Sequence, residues 1–283
     1  MIDRPMNLRA SGAPLVDAVG TRHVPAAGEV RIVSLVPSLT EMICDLGLAD
    51  RLVGRTGFCI HPRETLRTIS KVGGTKDVRM DALRALAPTH VIVNIDENRR
   101  ETVDELAAFV PSIIVTHPCQ PADNFGLYDL FGEMFACQPA ATRLADDLAA
   151  AWAEARTVAR RLPPERVLYL IWRAPWMTIA RDTYISATLR EVGWETVPED
   201  AAQRYPEVDW AAIGRSDVAR VFLSSEPYRF REGHLAEAEA LSGCPATLID
   251  GEMTSWYGSR AARGLRYLAA LRLRLAGIAS VAG

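Results

Sequence analysis

PAATRLADDLAAAWAEARTVARRL, residues 139–162, carries the longest helical pattern in the chain. Leu144, Leu148, Ala151, Ala155, Val158 and Leu162 are spaced 4, 3, 4, 3 and 4 apart, which places them on one stripe of a single helix. Its 24 residues reach about 36 Å at about 1.5 Å per residue, enough to cross a small domain. Pro163-Pro164 ends it, because proline supplies no amide donor and restricts the residue before it.

On both sides the pattern changes to short β-branched runs alternating with helical stretches, which argues for α/β layers. Before the long helix, strands are predicted over 31–36, 51–55, 68–72, 89–94 and 112–116, with helices over 39–46, 79–86, 99–109 and 125–136. After it, strands are predicted over 166–171, 195–197, 220–223 and 247–249, with helices over 184–192, 210–213, 233–241 and 259–275. Ser38 and Glu41 read as a capping box on the first helix, and Gly47 suits its stop. The map is an α/β lobe over residues 1–137, a bridging helix over 138–163 and a second α/β lobe over 164–283.

The composition excludes several classes. Of 283 residues, 49% are hydrophobic and 24% charged, which supplies a core and rules out overall disorder. The net charge of -3 lacks the basic excess of a nucleic-acid binder, so no nucleic-acid partner is expected. No apolar run approaches the roughly 20 residues that span a bilayer. Asp3, Arg4, Arg9 and Asp17 interrupt the first 27 residues. That stretch holds no apolar core of the roughly 7–15 residues a secretory signal needs, which favours a cytoplasmic address. Five widely spaced cysteines, Cys44, Cys59, Cys119, Cys137 and Cys244, form no CxxC pair and no disulfide framework.

The motifs GxGxxG, GxxxxGK[ST], GxSxG and HExxH are all missing. Gly73-Gly74 reads as a turn. Open α/β sheets bind ligands at the carboxyl ends of their strands, so the loops there hold the candidate site. These loops carry Ser38, Phe58, Cys59, His61, Trp172, Arg173, Trp176, Tyr228, Trp256 and Tyr257. Aromatic walls with a few placed polar groups suit a large, flat, partly apolar ligand. The competing reading is that the rings pack the loops down as satellite core. Cys59 and His61 lie two apart and are each able to ligate a metal, although two ligands do not make a site and a buried Cys is the blander reading. His117 and His234 are possible additions in other loops. Arg173, Arg181, Arg229 and Arg260 suit carboxylate or phosphate groups on a ligand, or are simply solvated or locally paired. Asp96-Glu97-Asn98 reads as a helix cap rather than an acid–base group.

Read as whole segments, the sequence resembles the class III periplasmic binding proteins, substrate-binding components of ABC importers for cobalamin, ferric siderophores and haem. GEVRIVSLVPSLTEMICDLGLADRLVG (28–54) is similar to their opening, and KVGGTKDVRMDALRALAPTHVIV (71–93) to their Gly-Gly turn, helix and strand. PWMTIARDTYISATLREVGW (175–194) resembles the segment after the bridging helix and its next strand. IDGEMTSWYGSRAARGLRYLAAL (249–271) resembles the closing loop and terminal helix, and ASGAPLVDAVGTRHVPAAGEVRI (10–32) the hairpin before the first strand.

The resemblance implies two Rossmann-like lobes joined by one rigid helix, with the ligand held between them, little hinge motion and no catalysis. It implies a periplasmic address, where the N-terminus alone favours a cytoplasmic one. It also implies docking on an ABC permease through one acidic residue per lobe, for which Asp81 and Asp209 stand in the aligned regions. The aromatics look closest to the cobalamin-type members. The expected ligand is a small-molecule cobalt or iron chelate, with no built-in cofactor, bound by a monomer. Phe58, Trp172, Trp176, Trp256 and Tyr257 are expected to form the walls, with His61 or Cys59 near the metal and Arg173 or Arg229 at the polar periphery. The alternatives are a ferric-siderophore or haem binder, a cytoplasmic chelate-processing enzyme using Cys59 and His61, and a structural or regulatory protein with an empty cleft.

Overall fold

The structure is a computed structural model that describes residues 14–199, 202–213 and 218–278. A hairpin of β1 (Leu15–Val16) and β2 (Arg22–His23) precedes the first lobe. That lobe comprises β3 (Ile32–Ser34), α1 (Pro37–Asp45), β4 (Leu52–Arg55), α2 (Arg63–Leu66), β5 (Ser70–Lys71), α3 (Met80–Ala85), β6 (His90–Asn94), α4 (Arg100–Leu106), β7 (Ser112–Thr116) and α5 (Asp123–Phe135). The bridging helix α6 (Gln138–Arg161) follows. The second lobe comprises β8 (Glu165–Trp172), β9 (Met177–Thr178), α7 (Tyr184–Arg190), β10 (Trp194–Val197), α8 (Trp210–Ile213), β11 (Arg220–Ser224), α9 (Leu235–Ser242), β12 (Ala246–Ile249), α10 (Gly251–Ser255) and α11 (Arg260–Leu275).

The first sheet is parallel, in the order β5-β4-β3-β6-β7. The second runs β10-β8-β11-β12, also parallel, with the short β9 antiparallel to β8. Both sheets are buried on two faces, which is why their strands read as continuous apolar runs. In the first sheet, Ile32 and Ile92 face one apolar cluster and Val33, Val91 and Val93 face another. Strand order reverses between β3 and β6 in one lobe and between β8 and β11 in the other. Each reversal opens a crevice at the carboxyl ends of its strands.

The long helix forms where its stripe predicts. Leu148, Ala151 and Ala155 are fully buried, and the alanines let α11 and α5 approach closely. Leu162 is extended, as the residue before a proline prefers. The largest apolar cluster runs from Ile32 and Phe131 through Leu148 and Ala155 to Tyr169, Trp194 and Leu265, so one core ties both sheets to the bridging helix.

Two local expectations are corrected. The capping box on α1 does not form: Val36 is the N-cap, Pro37 opens the helix, and Glu41 is committed to Arg260 and Arg263. Proline needs no amide partner in the first turn, so it takes the place a cap would fill. Asp96-Glu97-Asn98 does not cap α4 either, whose N-cap Arg99 makes no side-chain cap bond. The helix stop at Gly47 holds. Gly47 has φ +78°, its amide donates to Cys44 O and the Leu48 amide to Ile43 O, a Schellman pair. Gly73-Gly74 opens a turn, with φ +110° at Gly73 and the Gly74 amide donating to Asp77 O at 3.0 Å.

Gly264 lets α11 lie against α10, since a Cβ there would sit 2.3 Å from the Met253 carbonyl oxygen. Gly126 on α5 faces open space. Gly264→Ala is therefore expected to destabilise the fold by about 1–3 kcal/mol. Gly126→Ala is expected to stabilise it by about 0.5–1 kcal/mol. Urea unfolding midpoints of the two variants against the parent check both signs.

Candidate ligand-binding cleft

Loops from the carboxyl ends of both sheets meet between the lobes. From the first lobe, the loop after β4 is clamped by Arg55, whose guanidinium donates to Cys59 O at 2.9 Å and to Leu66 O at 3.1 and 2.9 Å. This holds Phe58 outward, 62% exposed and lying over Gly74, and turns His61 toward the other lobe. The loop after β6 is organised by buried Asn98, which accepts from Asn94 N at 2.8 Å and donates to Thr75 O at 2.9 Å. Asp96 and Glu97 project from it.

From the second lobe come Trp172 at the end of β8, Glu226 and Tyr228 after β11, and Trp256-Tyr257 after α10. A Cβ at Gly251 would lie 2.6–2.9 Å from Ser224 Oγ and Glu226 N and Cβ, so this glycine alone lets the Glu226 loop sit where it does.

The lobes are joined by direct polar contacts. Arg260 lies between Glu41 and Glu252: it donates to Glu41 at 2.7 and 2.9 Å and also pairs with Glu252. Glu252 in turn meets His61 Nε2 at 3.2 Å. The Gly258 amide donates to Asn124 Oδ1 at 2.6 Å, and Tyr128 Oη donates to Gly258 O at 2.9 Å. At the far rim Arg204 donates to Asp96 at 2.6 Å.

Two carboxylates at the floor stand apart from these pairs. Tyr257 Oη donates to Glu97 Oε1 at 2.5 Å, and Trp256 Nε1 donates to Glu226 Oε2 at 3.1 Å. Adjacent residues of one turn thus hold one carboxylate from each lobe. Burial pushes Glu97 up to about 7, against 4.5 ordinarily, with the charges of Asp96 and Glu226 adding to the rise. Burial raises Glu226 as well, aided by Glu252 and Asp250. Ser38 Oγ is buried beside the Tyr257 hydroxyl.

The predicted site residues separate into groups. Ser38, Phe58, His61, Trp172, Tyr228, Trp256 and Tyr257 lie at or under the cleft. Trp172 is 41% exposed and edge-on to Tyr228, whereas Trp256 and Tyr257 are buried floor rather than wall. Trp176 is corrected: it stacks on Phe230 and packs edge-on to Trp210, as part of the second lobe's own core. Arg173 is corrected too, being tied in a two-pronged pair to Glu237 on α9. Cys59 does not approach a metal position. It is fully buried, Thr40 and Thr56 hydroxyls lie 3.1 Å from its sulfur, and burial raises its thiol. Among the described residues no group of three or more His, Cys, Asp and Glu is placed to hold a metal ion. His117 is on the rim, 3.2 Å from Arg204, while His234 is held beside Tyr228. Asp81 and Asp209 are exposed, and Asp209 caps α8 through Ala212 N.

Sequence reading missed Glu97, Glu226 and the Arg260 pairing. Each depends on which loops meet. The one signal present was Gly251, a glycine at a helix start where a loop from the neighbouring strand passes.

The sequence model of the periplasmic binding proteins matches residues 32–247. The chain belongs to this family. A Vitamin B12-binding protein of Yersinia pseudotuberculosis is 23% identical over 196 residues, covering 69% of this chain and 70% of that one. In fold, the chain is similar to the periplasmic Vitamin B12 binding protein BtuF of Vibrio cholerae, with a TM-score of 0.74 and 19% identity over 87% of this chain and 97% of that one. It is equally similar to the apo periplasmic heme-binding protein RhuT of Roseiflexus sp. RS-1, with a TM-score of 0.73 and 22% identity over 88% and 100% of the two chains. As a member of this family the chain is a periplasmic binding protein and not an enzyme.

Two variants probe the floor of this periplasmic binding protein. Between pH 4.5 and 7 only the unfolded chain ionises Glu97, so its raised value costs stability progressively as pH rises and costs most above 7. Glu97→Gln, which still accepts from Tyr257, is expected to gain on the order of 2 kcal/mol at pH 8 and nothing at pH 4. Denaturant titrations at the two pH values check it. Arg260→Met strips buried Glu41 of its two-pronged partner and is expected to cost about 3 kcal/mol, read as a fall in urea midpoint.

Proposed function

We propose that the protein binds cobalamin or a related corrinoid between its lobes and passes it to an ABC permease, acting as a monomer outside the cytoplasm. The observation that carries this reading is the set of large apolar side chains left exposed on cleft loops. Phe58, Ile60 and Ile95 of the first lobe are 62%, 48% and 45% exposed, and Trp172 of the second is 41% exposed. Exposed apolar groups on loops at the carboxyl ends of the strands fit a broad, flat ligand. The similarity to Vitamin B12-binding proteins supports the corrinoid within that class. Exposed Asp81 and Asp209, one on each lobe, are the proposed permease contacts.

Haem or a ferric siderophore is the competing ligand, supported by the equal fold similarity to a heme-binding protein. Tryptophan fluorescence titrations with cyanocobalamin, haemin and a ferric siderophore separate the three. Saturable quenching by cyanocobalamin with a Kd at or below about 1 µM is expected. Phe58→Ala and Trp172→Ala are each expected to weaken it about tenfold with melting temperature unchanged. Saturation by haemin or the siderophore alone replaces the corrinoid with that ligand, and quenching by none overturns the reading.

A further inference from the structure

The charges around the cleft are unevenly committed. Arg260 is held by Glu41 and Glu252, Arg204 by Asp96 and Asp182, and Arg173 by Glu237. Glu97 and Glu226 have the opposite arrangement: each is held by a neutral donor, and neither makes an ion pair among the described residues. A carboxylate with one neutral donor keeps lone pairs to offer. Both stand at the strand-order reversals, Glu97 after β6 and Glu226 after β11, where ligands of such sheets are bound. The turn that anchors both also meets the buried hydroxyl of Ser38 beside Tyr257, a further polar group at the same floor.

We propose that Glu97 and Glu226, one from each lobe, set ligand specificity by accepting hydrogen bonds from N–H groups on the ligand's edge and repelling ligands that carry carboxylates there. This rests on the reading of the cleft as a chelate site and deepens it: the favoured ligand has an amide-bearing, uncharged rim. An amide hydrogen gains a charge-assisted bond from either glutamate. A peripheral carboxylate meets like charge at this floor, and rejection by an unpaired charge is an effective route to specificity.

The test compares ligand pairs that differ only in rim charge: cyanocobalamin against its monocarboxylate, with one side-chain amide hydrolysed, and the diamide of haemin against haemin itself. Titrations are made at pH 8.5, above the value of about 7 for Glu97. The native protein is expected to bind the amide member of a pair about tenfold or more tighter than its carboxylate partner. Glu97→Gln/Glu226→Gln is expected to bring that ratio to within about threefold, and each single variant to an intermediate value, which keeps the test open if the double variant fails to fold. A ratio near one in the native protein, or one unchanged in all variants, overturns the inference. Cyanocobalamin binding without discrimination upholds the corrinoid reading and overturns this one. Discrimination within the haemin pair alone does the reverse, and binding by no member overturns both.

Discussion

The contact on which the rest of the molecule depends is the insertion of residues 256–260 between the lobes. Arg260 is almost fully buried, and its guanidinium is divided between Glu41 from the first lobe and Glu252 from the second. Burying such charges is tolerable only with near-complete pairing, so the positions of α1, α10 and α11 are mutually fixed. Gly258, two residues earlier, gives its amide to Asn124 and takes a bond from Tyr128, which adds α5 to the same junction. With the bridging helix spanning both lobes behind it, this junction leaves the lobes little freedom to hinge.

The cleft inherits its chemistry from that junction. Trp256 and Tyr257 are too buried to act as walls, but they hold Glu226 and Glu97 in place through hydrogen bonds. The exposed apolar surface comes instead from loops fixed independently, Phe58 by the Arg55 clamp and Trp172 by the end of β8 against Tyr228. A rigid polar floor under an apolar rim lets ligand binding proceed without the cost of ordering loops. Of the arginines suited to an anionic ligand, Arg260 is buried between Glu41 and Glu252, Arg173 pairs with Glu237 and Arg181 with Glu195 and Glu199 at the surface, and Arg229 is exposed.

Much of this was legible before any coordinates. The spacing from Leu144 to Leu162 dictated one helix and its buried stripe, and apolar runs such as His90–Asn94 dictated buried parallel strands. The prolines at 163 and 164 and the glycine at 47 marked their boundaries for stereochemical reasons that act within a few residues. Loop aromatics were legible as a group but not one by one. Trp176 became core by stacking on Phe230, a residue 54 positions away, while Trp172, four residues before it, stayed exposed.

Local backbone preference and hydrophobic period act over a few residues, so the sequence by itself determined the alternating α/β elements, the long helix, the Gly47 stop and the loops that line the cleft. Which charges are paired, which rings are covered and which carboxylates remain uncommitted are properties of long-range meetings. Glu41 meets Arg260 across 219 residues and Tyr257 meets Glu97 across 160. Burial and dielectric at those meetings exist only once the lobes have closed on each other, and so the tertiary structure alone decided that Arg260 is paired while Glu97 and Glu226 are each held by a neutral donor.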